Sequence, residues 1–237
     1  MATARASGIL CHVTALPSPW GIGDLGRGCD ALLDFLQAAG QTIWQILPLV
    51  PTGYGNSPYQ PLSVFAGNPW LIDLQQLVEE GLLAPEEARA DPPLPGDHVD
   101  YDAVSQCKDR ALRRAFANLQ RQPGWLAVER EAFARENAFW LEDYCLFGAL
   151  NLHHEAATWT AWERDIALHR PEAVAAWRER LAEEVAYRRF CQFLFDHQWQ
   201  RVRHEAQRRG IRILGDVPIF VGHHSADVWS QRRLFAL

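Results

Sequence analysis

The stretch PTGYGNSPYQPLSVFAGNPWLID, residues 51–73, says more about the fold than any other part of the sequence. Glycine and proline recur through it, and such punctuation is typical of a loop. The apolar run TIWQIL, residues 42–47, comes directly before it and is predicted to form a buried strand. The sequence therefore predicts a rigid, aromatic loop at the end of a buried strand, which is where α/β proteins place binding sites.

The side chains of this loop suit a neutral ligand that is rich in hydroxyl groups. Tyr54, Tyr59 and Trp70 offer flat apolar faces with a polar edge. Uncharged groups that form hydrogen bonds accompany them, from Asn56, Ser57, Gln60 and Asn68. A sugar presents apolar C–H faces and a belt of hydroxyls, so it fits this set. The alternative is a loop that serves only to pack.

Hydrophobic patterning divides the rest of the chain into strands and a long helical region. Strands are predicted over residues 8–13, 43–47 and 211–214, the third of them buried, and a helix over 27–39 ends at Gly40. Between the second and third strands, helices are predicted over residues 74–81, 103–119, 126–154 and 171–209, with a proline-rich linker at 91–97. This order predicts an α/β fold with a parallel sheet.

Several candidate residues follow predicted strand ends. Asp24, Tyr54, Tyr59 and Asp216 all lie at or beyond such ends, which predicts that they share one face. Asp216 follows the third strand, and Gly215 and Pro218 restrict the backbone on either side of it, so we favour a role in the site. The alternative is that its carboxylate caps the following segment.

A second glycine-rich motif, GIGDLG at residues 21–26, satisfies the dinucleotide-binding fingerprint and precedes a predicted helix. Its context is wrong. Residues 14–20, with two prolines, separate the motif from the strand, and Pro48 follows the second strand where an acid should hold the ribose.

The run His223-His224-Ser225 with Asp227 invites a metal or nucleophile interpretation. Adjacent histidines in an extended segment point to opposite faces, and Ser225 lies in no Gly-x-Ser-x-Gly elbow. We therefore predict a polar structural loop. His153, in a histidine pair at a predicted helix end, is expected to serve the last carbonyls of that helix.

Composition excludes several classes of protein. The 237 residues are 48% hydrophobic with a net charge of −6, which indicates a globular protein and argues against a nucleic-acid binder. No apolar run approaches the roughly 20 residues of a membrane helix, and residues 1–6 show no signal peptide, which favours the cytoplasm.

Cysteine and tryptophan usage gives two further expectations. The five cysteines are widely spaced without a Cys-x-x-Cys pair, so we predict reduced and mostly buried thiols and no zinc site. Most of the ten tryptophans are expected in the core, including Trp140, Trp177 and Trp199. Trp20, Trp70 and Trp229 lie in predicted loops and are candidates for stacking on sugar rings.

Taken together, these motifs resemble the 4-α-glucanotransferases, the amylomaltase or disproportionating-enzyme family. The family pattern PTGYG-D/N-SPYQ-x-x-S-x-FAGNP-x-LIDL is matched almost residue for residue through Leu74. Further blocks of the family are matched at residues 7–10, 14–17, 21–26, 40–41, 44–49, 99–101, 215–221 and 225–229, with Val104 and Lys108. The resemblance thus covers the whole chain. One departure is His224, where the family commonly has Asp.

The resemblance implies that this chain is the N-terminal part of a (β/α)8 barrel with inserted subdomains. Residues 1–73 would hold the first barrel strands and the substrate loop, 74–209 a mainly helical insertion, and 210–237 the third barrel strand and its loop. The family's nucleophilic Asp, acid/base Glu and third Asp belong to later strands, beyond Leu237. We therefore expect the chain to lack the catalytic carboxylates and to end before the barrel closes.

The implied activity is transfer of α-1,4-glucan segments from a donor glucan to a sugar acceptor through a retaining, covalent glycosyl-enzyme mechanism, without cofactor or metal. Such chemistry needs two carboxyl groups about 5 Å apart. The implied partners are α-1,4-glucans and maltooligosaccharides. Substrate-binding roles are assigned to Tyr54, Ser57, Tyr59, Gln60, Asn68, Trp70, Tyr101 and Asp216. The alternatives are a non-catalytic glucan-binding remnant and a dinucleotide-binding oxidoreductase.

Overall fold

The computed structural model describes residues 5–237, except for the side chain of Tyr54. The chain divides into two compact units. Unit 1 comprises the described residues up to Leu49, with Asn68–Pro123 and Leu194–Val217, and unit 2 comprises Val50–Gly67, Gly124–Phe193 and Pro218–Leu237.

The described chain contains three short strands, with one α-helix between the first two and a long run of helices before the third. The strands are β1 (Gly8–Leu10), β2 (Ile43–Gln45) and β3 (Arg212–Leu214). The helices are α1 (Arg27–Ala38), α2 (Leu74–Glu79), α3 (Tyr101–Leu119), α4 (Ala127–Glu136), α5 (Ala138–His153), α6 (Arg164–Ala167), α7 (Pro171–Arg180), α8 (Ala182–Arg208) and α9 (Ala226–Ser230).

The three strands form a parallel sheet in unit 1, in the order β1-β2-β3. Ile9, Trp44 and Ile213 are in register across it. Parallel neighbours cannot be joined by a tight hairpin, so a crossover must separate them along the chain. The predicted α/β class with a parallel sheet is confirmed.

The first two strands are shorter than predicted. Past Leu10, the carbonyl of Cys11 accepts a hydrogen bond from Trp44 Nε1 (2.7 Å), and the chain turns into a 3-10 helix at Val13–Ala15. The predicted extension of this strand to residue 13 is therefore wrong. β2 ends at Gln45, although Ile46 still donates its N–H to the Leu214 carbonyl (3.0 Å).

Burial within the sheet is uneven. Trp44 in the central strand is fully buried, whereas Leu10 and Leu214 in the outer strands are 56% and 51% exposed. The prediction that the third strand is buried is wrong for the described chain, because side chains alternate between the two faces of a strand. Only Ile211, just before β3, is fully buried in that run.

The helices follow the predicted pattern closely. α1 and α2 are followed by Gly40 and Gly81, whose φ angles of 66° and 77° end a helix at little cost for glycine. The two long helical predictions each divide into two helices. The breaks fall at Asn137, between α4 and α5, and at Leu181, between α7 and α8.

Each unit buries its own apolar side chains. In unit 2, α5 contributes Leu146, Phe147 and Leu150 to a core that also contains Trp162 and Trp229. In unit 1, fully buried residues include Leu25, Leu33, Leu36, Leu71, Ile72 and Leu77. None of the helices within residues 5–237 has the length and apolar character needed to cross a membrane.

Candidate functional site

The first part of the 51–73 stretch, in unit 2, closes on itself. Gly53 donates its N–H to the Gln60 carbonyl (3.1 Å), and Leu62 donates to the Pro51 carbonyl (3.1 Å). A Cβ on residue 53 would lie 2.5 Å from the Gln60 oxygen, so the two arms approach closely only because residue 53 is glycine. Residues 53–60, here called the tip loop, are thus held at their neck by backbone hydrogen bonds.

The tip loop gathers three of the predicted substrate-binding residues. Ser57 Oγ accepts a hydrogen bond from the N–H of Tyr59 (3.2 Å), and the Ser57 carbonyl accepts one from the N–H of Gln60 (3.3 Å). Tyr59 is 42% exposed and Gln60 is also exposed. The predicted role of the Tyr54 side chain lies outside what the structure describes.

Helix α9 anchors the chain just after the tip loop. The carboxylate of Asp227 accepts hydrogen bonds from Ser63 Oγ (3.1 Å) and from the N–H of Val64 (2.9 Å). Burial raises the pKa of Asp227, while these two donors act in the opposite direction. A single, partly buried carboxylate therefore fixes the backbone that leads away from the tip loop.

The second part of the stretch, in unit 1, presents an aromatic pair. Asn68 is buried, and its Oδ1 accepts a hydrogen bond from the N–H of Trp70 (3.0 Å), which caps the 3-10 helix Pro69–Leu71. The Trp70 ring packs against Tyr101, the first residue of α3, with ring centroids 6.1 Å apart. Both rings are partly exposed, so the pair offers an apolar face to a ligand.

The two acidic candidates in unit 1, Asp216 and Asp24, occupy different environments. Asp216 is exposed after β3 and accepts a hydrogen bond from the N–H of Val217 (2.8 Å). Asp24 is buried and binds Ser18 Oγ (2.9 Å) and Lys108 Nζ (3.3 Å). Burial first, and then the nearby Asp24, raise the pKa of Asp73. Asp24 therefore has a structural role. Asp216, by contrast, follows a strand end and is exposed to solvent.

The GIGDLG motif has a structural explanation. A Cβ on Gly23 would lie 2.0 Å from the Val13 carbonyl oxygen, and one on Gly26 would lie 2.6 Å from the Asp73 carboxyl group. The chain itself fills the space around both glycines. Close packing of the backbone thus accounts for the glycines at residues 23 and 26.

Two of the three tryptophans proposed for sugar stacking are buried, so those predictions are wrong. Trp20 is 6% exposed and donates Nε1–H to the Ala88 carbonyl (2.6 Å). Trp229 is 0% exposed and donates to the Ile166 carbonyl (2.8 Å). Both indoles satisfy their polar group inside the protein, as buried tryptophans usually do. Trp70 stays a candidate.

Residues 223–225 form a structural loop that leads into α9. His224 Nδ1 accepts the N–H of Trp159 (3.2 Å), so Nε2 carries the proton and donates it to Asn151 Oδ1 (2.9 Å). Burial, and then His223, lower the pKa of His224. Ser225 Oγ caps α9 by accepting the N–H of Val228 (3.2 Å). These contacts leave Ser225 in a capping role.

Comparison with known proteins agrees with this geometry. Residues 11–237 match the sequence model described as 4-alpha-glucanotransferase. The chain belongs to the 4-alpha-glucanotransferase family. It is 48% identical to the 4-alpha-glucanotransferase of Synechocystis sp. and 45% identical to that of Thermus thermophilus, in each case over 100% of this chain and 47% of the relative.

A solved structure gives the same result. The amylomaltase from Streptococcus agalactiae in complex with acarbose superposes with a TM-score of 0.93 at 35% identity, over 99% of this chain and 47% of that one. The family resemblance inferred from sequence is confirmed. The chain spans about half the length of the curated 4-alpha-glucanotransferases that it matches, and corresponds to their N-terminal half.

Sequence reasoning missed the buried residues that hold the backbone of residues 67–73. Gln192 and Gln198 were given no role, and Lys108 appeared only as part of a matched block. Glutamine and lysine are mostly surface residues, and one residue of this kind in a predicted helix carries no signal of burial. Only the three-dimensional contacts distinguish them.

Proposed function

We propose that this chain provides the substrate-binding part of an enzyme that transfers α-1,4-glucan segments from a donor glucan to a sugar acceptor. The reaction would proceed with retention through a covalent glycosyl-enzyme intermediate. The observation that carries the proposal is the tip loop, which presents uncharged and aromatic side chains on a fixed backbone within the family's most specific motif. Membership of the 4-alpha-glucanotransferase family supports it.

Each predicted site residue has a proposed role that its chemistry supports. Tyr59 and the Trp70–Tyr101 pair would stack on sugar faces, as would Tyr54. The hydroxyl and amide groups of Ser57, Gln60 and Asn68 would bind sugar hydroxyls. Asp216 would accept a hydrogen bond from the sugar. The presence of acarbose in the Streptococcus agalactiae amylomaltase supports a glucan-like ligand for this chain as well.

We further propose the architecture implied by the family. The three parallel strands would belong to a (β/α)8 barrel, with residues 1–73, 74–209 and 210–237 forming first strands, helical insertion and third strand with its loop. The nucleophile and the acid/base would lie outside residues 1–237, so that this chain alone would not catalyse transfer. A cytoplasmic location is proposed from the sequence alone.

The proposal is tested on the purified 237-residue chain in two assays. Isothermal titration with maltoheptaose should show binding, and an equal concentration of cellohexaose should show none, because its β-linkages give the chain of sugars a different shape. Incubation with maltotriose should release neither glucose nor longer maltodextrins, because loss of a nucleophile removes several powers of ten in rate.

Each assay has an outcome that contradicts the proposal. Absence of maltoheptaose binding, or equal binding of both oligosaccharides, would contradict the substrate-binding assignment. Disproportionation of maltotriose at ordinary enzyme rates would show a complete catalytic site within residues 1–237. Binding with no turnover, even when the missing half of a relative is added back, would favour the non-catalytic glucan-binding alternative.

A further inference from the structure

The backbone that follows Trp70 is buried although it belongs to no strand. Leu71, Ile72, Asp73 and Leu74 are each at most 5% exposed. Buried N–H and C=O groups need hydrogen-bond partners, and leaving one unpaired is costly. Other backbone groups pair with both polar groups of Leu71 and with the N–H of Ile72, whereas the partners of the Ile72 carbonyl and of both Asp73 groups come from side chains.

Gln198, on α8, supplies two of them. Its Oε1 accepts the N–H of Asp73 (2.7 Å), and its Nε2 donates to the Asp73 carbonyl (3.0 Å). Gln198 is 0% exposed. A side-chain amide carries both a donor and an acceptor, so it can pair with the two polar groups of one residue in the way a neighbouring strand would.

Lys108, on α3, supplies a third. Its Nζ donates to the Ile72 carbonyl (2.6 Å) and lies 3.3 Å from Asp24 Oδ2 and 5.0 Å from the centre of the Trp20 ring. Asp24 is itself fixed by the N–H of Gly26 (3.2 Å). Asp24 thus holds the buried ammonium group of Lys108 in place, and the ammonium group binds the backbone two residues after Trp70.

Most of the buried polar side chains of unit 1 bind the backbone of Trp70 or of the residues just after it. Among the residues that the structure describes in this unit, the buried polar side chains are those of Asp24, Asn68, Asp73, Lys108 and Gln198. Asn68 caps the 3-10 helix that contains Trp70, and Asp73 caps α2 through Gln75 and Gln76. Lys108 and Gln198 bind residues 72 and 73, and Asp24 binds Lys108. The number of buried polar groups that bind this short segment indicates that its backbone conformation is important.

The same pairing of a buried glutamine with one loop residue occurs independently in unit 2. Gln192 is 2% exposed, and its amide accepts the N–H of Gly67 (2.8 Å) and donates to the Gly67 carbonyl (2.9 Å). A buried glutamine of α8 therefore pairs with both polar groups of one loop residue in each unit. The recurrence argues that the amide is chosen for this pairing rather than for packing volume.

We propose that Gln198 and Lys108 are positioning residues that hold the turn bearing Trp70 in the geometry that binds glucan. Asn68 fixes the start of the 3-10 helix, and the two buried side chains fix the backbone at its end. Neither touches the ligand. The ligand part of this inference rests on the proposed function.

The test uses the full 237-residue chain and a matched control on the same helix and in the same unit. Gln198→Met keeps the length of the side chain and removes both hydrogen bonds, whereas Val202→Ala removes buried apolar volume and no hydrogen bond. We expect Gln198→Met to lower maltoheptaose affinity by about tenfold, the scale of a lost pair of hydrogen bonds. Val202→Ala should retain the affinity, whatever its loss of stability.

A conservative variant separates positioning from general damage. In Gln198→Glu the introduced carboxyl group can donate and accept at once only when it is protonated. Its burial favours the protonated form, so affinity should be weak at about pH 8 and recover at about pH 5. The wild-type chain and Gln198→Met, measured at the same two pH values, should show no such recovery.

Hydrogen exchange of the ligand-free protein tests the positioning role independently of the proposed function. The Asp73 amide should exchange at least about tenfold faster in Gln198→Met than in the wild type or Val202→Ala. If the wild type fails to bind maltoheptaose, the proposed function is wrong, and unchanged protection of Asp73 would overturn the positioning role. Equal loss of affinity in Gln198→Met and Val202→Ala would overturn it too.

Discussion

The Nζ of Lys108 lies 3.3 Å from Oδ2 of Asp24, with side chains that are 0% and 4% exposed. Two charges removed from water are stable only when they are paired and further hydrogen-bonded. Here Asp24 also accepts from Ser18 Oγ and the N–H of Gly26, and Lys108 donates to the Ile72 carbonyl. The pair therefore joins the loop after β1 to the backbone that follows Trp70, within unit 1.

Removal of one partner should strongly destabilise unit 1. We expect Lys108→Met to lower the free energy of unfolding by about 3–5 kcal/mol, because Asp24 would be left as a buried, unpaired charge. Urea unfolding followed by circular dichroism measures the change.

The control for this prediction is an exposed ion pair in the same unit. Arg27 and Glu79 lie 3.4 Å apart, with side chains 84% and 57% exposed. Arg27→Met should change the unfolding free energy by less than about 1 kcal/mol. The double variant Lys108→Met with Asp24→Asn should recover part of the loss. Equal effects of Lys108→Met and Arg27→Met would contradict the role given to the buried pair.

The stability of unit 2 should fall in mild acid because of His224. Protonation of its Nδ1 would place a donor against the N–H of Trp159, from which Nδ1 now accepts. Burial and His223 lower the pKa of His224 below its ordinary value of 6.5, so the unfolded chain binds the proton more readily than the folded one. The stabilising contribution of neutral His224 is fully present above pH 6.5. It is lost as the pH falls from 6.5 toward the lower pKa that His224 has in the folded protein.

A variant that does not titrate isolates this effect. His224→Gln can still accept from the N–H of Trp159, and its unfolding free energy should vary less with pH than that of the wild type. We expect a difference of about 1 kcal/mol between about pH 7.5 and pH 5, modest because the ring is only half-buried. Asp227, whose raised pKa acts with the opposite sign, is common to both proteins and cancels. Parallel pH profiles would refute the assignment.

Much of the fold could be predicted from local signals. The glycine stops after α1 and α2, Pro171 at the start of α7 and the apolar run around Trp44 each report a local preference of the backbone. The strand ends could not be predicted. Val13 continues the apolar pattern of β1, but a tertiary hydrogen bond from Trp44 to the Cys11 carbonyl ends the strand earlier.

The candidate site was predictable only where its residues belong to the motif. Ser57, Tyr59 and Gln60 lie together because they are neighbours in one closed loop. Burial of Trp20 and Trp229 depends on partners more than 60 residues away, Ala88 and Ile166, which no local pattern reveals. The same holds for Gln198, which lies 125 residues from Asp73 along the chain.

Closure of the tip loop should depend on the absence of a side chain at Gly53. In Gly53→Ala, the new Cβ would meet the Gln60 carbonyl oxygen at 2.5 Å, and the hydrogen bond at the neck would be lost. We expect a destabilisation of about 1–3 kcal/mol and weaker binding of maltoheptaose. Gly96→Ala, with no atom within 4 Å of the new Cβ, should be neutral or slightly stabilising in the same unfolding assay.

Tyr59 should contribute to binding and not to folding. Its ring is 42% exposed at the tip loop, so Tyr59→Ala removes little buried area, and the unfolding free energy should change by less than about 0.5 kcal/mol. Maltoheptaose binding should weaken by about 1–3 kcal/mol, the scale of a lost aromatic contact and one hydrogen bond. Tyr59→Phe keeps the aromatic face, so it should recover the binding affinity except for the part that the hydroxyl hydrogen bond contributes. Calorimetric titration of the three proteins checks this, and unchanged affinity in Tyr59→Ala would remove Tyr59 from the site.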